Sequence, residues 1–154
     1  MIPMKAKPKI VPPDAGKTLN VLGDVVTTVV VGVNTGGAYA VLHQDTQPGH
    51  GPPLHRHSRE DEGFTVLAGG YEFRVGEETF RAGPGTLVFG PRGIAHTLKC
   101  VGSGPGKIQV ITSPPGFEEF FVEVDRLRRQ GPPDLAHVVA LARKYGVEIL
   151  GPPP

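Results

Sequence analysis

The chain has 154 residues, enough for one domain with a single core. Lys and Arg number 16 against 15 Asp and Glu, a formal charge of +1, which argues against a protein held to nucleic acid or to an anionic membrane by charge. Gly (22) and Pro (17) make up about a quarter of the chain without a three-residue period, which excludes collagen and implies many turns rather than a helical bundle.

Residues 1–16 are rich in Pro and Lys and read as a loosely held arm, with no apolar run long enough for a secretory leader. From Lys17 to Ser113 the pattern is all strand. Val25 to Val31 is dense in β-branched residues, whose stiff side chains suit a pleated surface. The segment Val25–Val33 is too short and too broken by Thr27, Thr28 and Gly32 to cross a bilayer. Its apolar character predicts a strand edge covered by a second copy of the chain, and hence a homodimer. Glu62 to Ala68 alternates, with Glu62, Phe64 and Val66 on one face, and Tyr71, Phe73 and Val75 alternate against Glu72 and Arg74. Gly69-Gly70 and Gly76-Glu77 each fit a two-residue hairpin turn. Further short strands are expected at 78–81, 85–89, 94–99 and 107–112, a spacing that means a sandwich or barrel.

Residues 114–154 change character. Phe117, Phe120, Phe121, Val124 and Leu127 recur at helical spacing, with acidic residues between them and Arg126, Arg128 and Arg129 at the end of the run. A second helix is expected from Pro132-Pro133-Asp134 to about Tyr145, with Gly146 just past its end and 147–150 as a final strand or tail. The phenylalanine stripe is expected to pack on the outside of the β domain. Cys100 is the only cysteine, so no internal disulfide can form; a small buried apolar role and a reducing, cytoplasmic compartment follow as expectations.

Four side chains carry the chemistry. His55 and His57 are two apart, so a strand points both imidazoles to one face, and Glu62 opens the next strand after the polar turn Ser58-Arg59-Glu60-Asp61. His96 sits on a later strand, on a face shared with Ile94 and Leu98. A barrel interior can bring the four together, and three imidazoles with one carboxylate suit Fe(II), Mn(II), Ni(II), Cu(II) or Zn(II). The absence of a thiolate from the set argues against a structural zinc knot. His43 and His50 read as solvated or hydrogen-bonded, and His137 as a surface residue.

The spacing around these ligands resembles that of a known family. Gly49, five residues, His55-x-His57, four residues, Glu62, six residues and Gly69 are followed by Gly85, five residues, Pro91-x-Gly93, two residues and His96. These nine positions are similar to the two motifs of the cupins, separated by residues 70–84. An Asn common near the end of the second motif is replaced here by Cys100. Gly36-Gly37-Ala38-Tyr39, the stretch from Pro115 to Phe121 and Lys144 to Glu148 look like the small bacterial cupins of the quercetin dioxygenase-like kind.

The resemblance implies a double-stranded β-helix (jelly-roll) barrel over 17–113, with a helical extension over 114–154. It also implies a divalent transition metal on His55, His57, Glu62 and His96. The expected function is metal-dependent, dioxygenase-like chemistry on a small phenolic or enolic substrate, with Phe64, Phe73 and Phe89 as apolar walls. Glu62 would serve as both ligand and general base, because a carboxylate that swings off a metal can accept a hydroxyl proton. A non-catalytic module for a small molecule or sugar and a metal-dependent isomerase are the alternatives.

Overall fold

The computed structural model describes residues 6–152; part of the expected arm falls on residues 1–5, outside the described residues. Residues 6–16 form no helix or strand. In chain order the first strands are β1 (Lys17–Val21), β2 (Asp24–Val30), β3 (Ala40–Thr46), β4 (His55–His57) and β5 (Asp61–Ala68). They are followed by β6 (Tyr71–Val75), β7 (Glu78–Ala82), β8 (Leu87–Gly90), β9 (His96–Cys100) and β10 (Gly106–Ser113). Helices α1 (Glu118–Arg129) and α2 (Leu135–Lys144) and a short β11 (Val147–Ile149) complete the chain.

The strands form two antiparallel sheets, one ordered β1-β2-β3-β10-β5-β8 and the other β11-β4-β9-β6-β7. Facing each other, they make a jelly-roll barrel whose inner faces alternate with outer ones along each strand. Val26, Leu42, Phe64, Val66, Phe73, Leu98 and Ile108 fill the interior, each almost fully buried. A second apolar cluster of Phe117, Phe120, Val124, Val138, Ala142 and Val147 joins the two helices to the barrel. The helices therefore extend the core instead of standing apart from it. Asp134 caps α2 by accepting from the Ala136 amide at 3.1 Å. Asp125 on α1 accepts from the Asn20 amide at 3.0 Å, tying that helix to β1.

Several local expectations are corrected. Gly76-Glu77 does make a hairpin, with Val75 opposite Glu78. Gly69-Gly70 does not: β5 and β6 belong to different sheets, so these residues carry the chain across the barrel. At Gly69 (φ +78°) a Cβ would lie 2.8 Å from the Cα of Gly106, and this close backbone approach is the reason for glycine there. The Val25–Val33 segment is no edge either, because β1 pairs along β2 from Lys17–Thr28 to Val21–Asp24. The observation that motivated the dimer is thus removed. Phe89 points outward and is 61% exposed, since Val88, opposite Phe64, takes the inward position of β8. Ile94 lies in the turn before β9, not on it, and is exposed.

Candidate metal centre

Two sheets contribute to the site. β4 and β9 are neighbours in the five-stranded sheet, with His55 directly opposite His96, and strand alternation sends His57 to the same face as His55. β5 belongs to the facing sheet, and its inward set begins with Glu62, followed by Phe64 and Val66. All four side chains are buried, and one ligand atom from each lies within 4.8 Å of every other. Glu62 Oε2 is 2.7 Å from His96 Nε2 and 3.2 Å from His57 Nε2. Despite that closeness, Glu62 Oε2, His57 Nε2 and His96 Nε2 make no hydrogen bond of acceptable geometry. Three buried polar atoms left without partners are costly, and their convergence on one point is what a metal ion between them would relieve.

The other ring nitrogens explain why the Nε2 atoms face inward. His55 Nδ1 donates to the Pro53 carbonyl at 2.7 Å, and His96 Nδ1 makes a longer contact of 3.4 Å with the Ile94 carbonyl. His57 Nδ1 donates to Glu60 Oε1 at 2.9 Å. An oxygen that can only accept fixes the proton on Nδ1 and leaves the Nε2 lone pair for a metal. Glu60, only 3% exposed, is the residue that motif spacing misses. It sits in a stretch that reads as a solvated turn, and only its place three residues after His57 hints at the contact.

Electrostatics follow from this burial. Desolvation, helped by the neighbouring His96 and His57 rings, pushes the His55 imidazole down to about 3, against the pull of the Glu62 carboxylate. Burial alone would raise Glu62, but the His96 imidazole against its carboxylate, with His57 and His55 nearby, holds it below the ordinary carboxylate range. The centre therefore presents a neutral His55 and an ionised Glu62 near neutral pH, the protonation states that metal ligation requires.

His55 and Glu62 also border a cavity of about 360 Å³ that runs from the barrel interior to the helices. Phe64 lines it, whereas Phe73 packs behind Phe64 in the core, their ring centroids 5.7 Å apart. Phe117, Phe120 and Phe121 line it too, so the stripe closes the mouth of the barrel and does not merely pack outside. The Phe117 ring stands edge-on to His57 at 4.6 Å. His43 lies outside this centre, bonded to Gln109 at 3.1 Å, and His137 is exposed on α2. Cys100 is fully buried.

Residues 42–112 match the family model of the cupin domain. Over these residues the chain is similar to the cupin domain. No curated protein matches the chain. Among solved structures, KdgF from a Halomonas species is 17% identical with a TM-score of 0.66, the match covering 73% of this chain and 99% of that one. The polyketide cyclase RemF from Streptomyces resistomycificus is 18% identical with a TM-score of 0.62, over 70% of this chain and 80% of that one. A predicted oxalate decarboxylase from Thermotoga maritima is 17% identical with a TM-score of 0.61, over 69% of this chain and 99% of that one. At these identities the likeness is one of fold. No helix among the described residues is long and apolar enough to cross a membrane.

Proposed function

We propose that the cupin barrel holds a divalent transition metal on His55, His57, Glu62 and His96 and acts, in the manner of the quercetin dioxygenase-like cupins, on a small phenolic or enolic substrate. The observation that carries this reading is the placement of the four-donor cluster at the wall of an apolar cavity of about 360 Å³. Among the described residues no Lys or Arg lines that cavity. A phosphorylated sugar would meet no cation there besides the metal, which disfavours the isomerase alternative. The solved relatives carry three different names, so their shared fold does not choose among activities.

Four protein ligands leave one or two coordination positions for a substrate oxygen. When bound, the metal supplies Lewis acidity, which acidifies that oxygen's hydroxyl, and, for a redox-active ion, one-electron chemistry. Glu62 takes the proton. Held below its ordinary pKa it is a weak base, so it accepts only from a hydroxyl already acidified. Phe64 and Phe117 exclude water on either side of the donor cluster.

Anaerobic mixing of metal-loaded protein with a panel of phenols and enols, followed by oxygen, tests the proposal. Substrate-dependent oxygen uptake, absent from metal-free His57→Ala protein, is the expected result. Ligand-induced thermal stabilisation with no oxygen uptake and no product would replace the enzyme with a binding module.

A homodimer and a cytoplasmic location belong to the same proposal. Leu87, Phe89 and Ile111 are exposed on the outer face of the six-stranded sheet, and this face, not the β2 segment, is the one a second copy would cover. Sedimentation at the mass of a single chain would contradict the dimer. The compartment rests on the single, buried cysteine.

A further inference from the structure

The cavity has a second polar end. His50 and Asp24 line it together with His55 and Glu62, and His50 Nδ1 lies 3.1 Å from Asp24 Oδ1. Asp24 is 8% exposed and its Oδ1 also accepts from the Gln47 amide at 3.3 Å, so the carboxylate is held in place. The His50 backbone is fixed as well: its amide donates to the Gln47 carbonyl, and its carbonyl accepts from the Cys100 amide at 2.9 Å.

That last bond sets the distance. Cys100 ends the strand that His96 begins, four residues further on, about 13 Å along an extended chain. The pairing of the facing sheet agrees. Glu62 is opposite Thr112, whereas Gln44, also on the cavity wall, is opposite Ile108, four residues away on the same strand. Between these ends the wall is apolar, formed by Val26, Leu42, Phe64, Leu98 and Val110.

We propose that the ligand of this cavity is a neutral, elongated, largely apolar molecule carrying a metal-ligating oxygen at one end and a hydroxyl at the other, with His50, oriented by Asp24, as the residue that selects the distal hydroxyl. A carboxylate can only accept, so Asp24 keeps the proton of His50 on Nδ1 and leaves Nε2 as an acceptor for a hydroxyl donor. The side chain of His50 is half exposed, which puts that acceptor where the cavity meets solvent. No cation lines the wall among the described residues, so the distal group is uncharged.

This inference rests on the phenolic reading of the metal end, and the test separates the two. Metal-loaded protein is titrated with 4,4′-dihydroxystilbene and with 4-hydroxystilbene, following ligand fluorescence. The diphenol is expected to bind about tenfold tighter, the worth of one good hydrogen bond. The preference should fall in His50→Phe to the statistical factor of about two that a symmetric diphenol has from its two equivalent ends, and largely persist in His50→Gln, which keeps an acceptor. Melting temperatures of the metal-loaded variants show whether each is folded, and the wild-type comparison stands even if a variant is not. A wild-type preference no greater than that statistical factor, or an undiminished preference in folded His50→Phe, overturns the distal site and leaves the phenolic reading standing. Failure of the metal-loaded protein to bind either phenol overturns both.

Discussion

Removing the Glu60 carboxylate should weaken metal binding without touching any ligand. Glu60 Oε1 is 2.9 Å from His57 Nδ1, and both side chains are almost wholly buried. In Glu60→Ala the Nδ1–H loses its charged acceptor, a penalty of about 1–3 kcal/mol. The imidazole also loses the group that keeps its proton on Nδ1, so part of the population carries it on Nε2, the atom a metal needs. Together these predict a rise of about 10- to 100-fold in the dissociation constant for Zn(II) or Co(II). Glu60→Gln, whose amide oxygen can still accept from Nδ1 but without charge, should lose about tenfold or less. The assay is competition against a chromophoric chelator at fixed pH, with circular dichroism to verify the fold. Folded Glu60→Ala protein that holds metal within twofold of the wild type would refute the reasoning.

Acid should unfold the metal-free protein early. Unfolded His55 takes up a proton near its ordinary 6.5, whereas the folded residue resists down to about 3. In that window the unfolded state binds more protons, so stability is full above about pH 6.5 and falls as pH drops, by up to about 5 kcal/mol from this residue alone. Glu62, held below the carboxylate range in the folded state, adds a loss in the same direction at lower pH. Urea unfolding at several pH values measures both, and stability that is flat from pH 6.5 to 4 would contradict the assignment. Phe117→Ala should cost about 3 kcal/mol, the low end for a buried phenylalanine because the ring already borders a cavity. Chemical denaturation giving less than 1 kcal/mol would show that α1 does not seal the barrel. Deleting residues 114–154 should abolish metal uptake, since β11 pairs with His55–His57 and Val147 lies opposite His57; a truncated chain that binds metal as tightly as the whole would refute that dependence.

The fold and the donor set are legible in the sequence for one reason. Strand parity and motif spacing are local, so His55, His57, Glu62 and His96 can be put on inward faces without knowing which strands pair. What depends on pairing is not legible. Gly69-Gly70 has hairpin chemistry, yet the chain crosses to the other sheet there. Phe89 sits in an alternating run whose phase is set by Val88 against Phe64. Val25–Val33 reads as an open edge until β1 is seen beside it. Glu60 lies in a polar turn and His50 matches no motif position, and only the folded chain sets Glu60 against His57 and His50 on the wall of the cavity that the helices help to line.

The central claim is that four nitrogen and oxygen donors hold one ion, and titration of metal-free protein with Co(II) tests it directly. The account predicts one ion per chain, with a visible spectrum of nitrogen and oxygen ligation and no thiolate charge-transfer band, and a large loss of affinity in each of His57→Ala and His96→Ala. Absence of uptake by the folded wild-type protein, or uptake undiminished when both histidines are removed together, would contradict it.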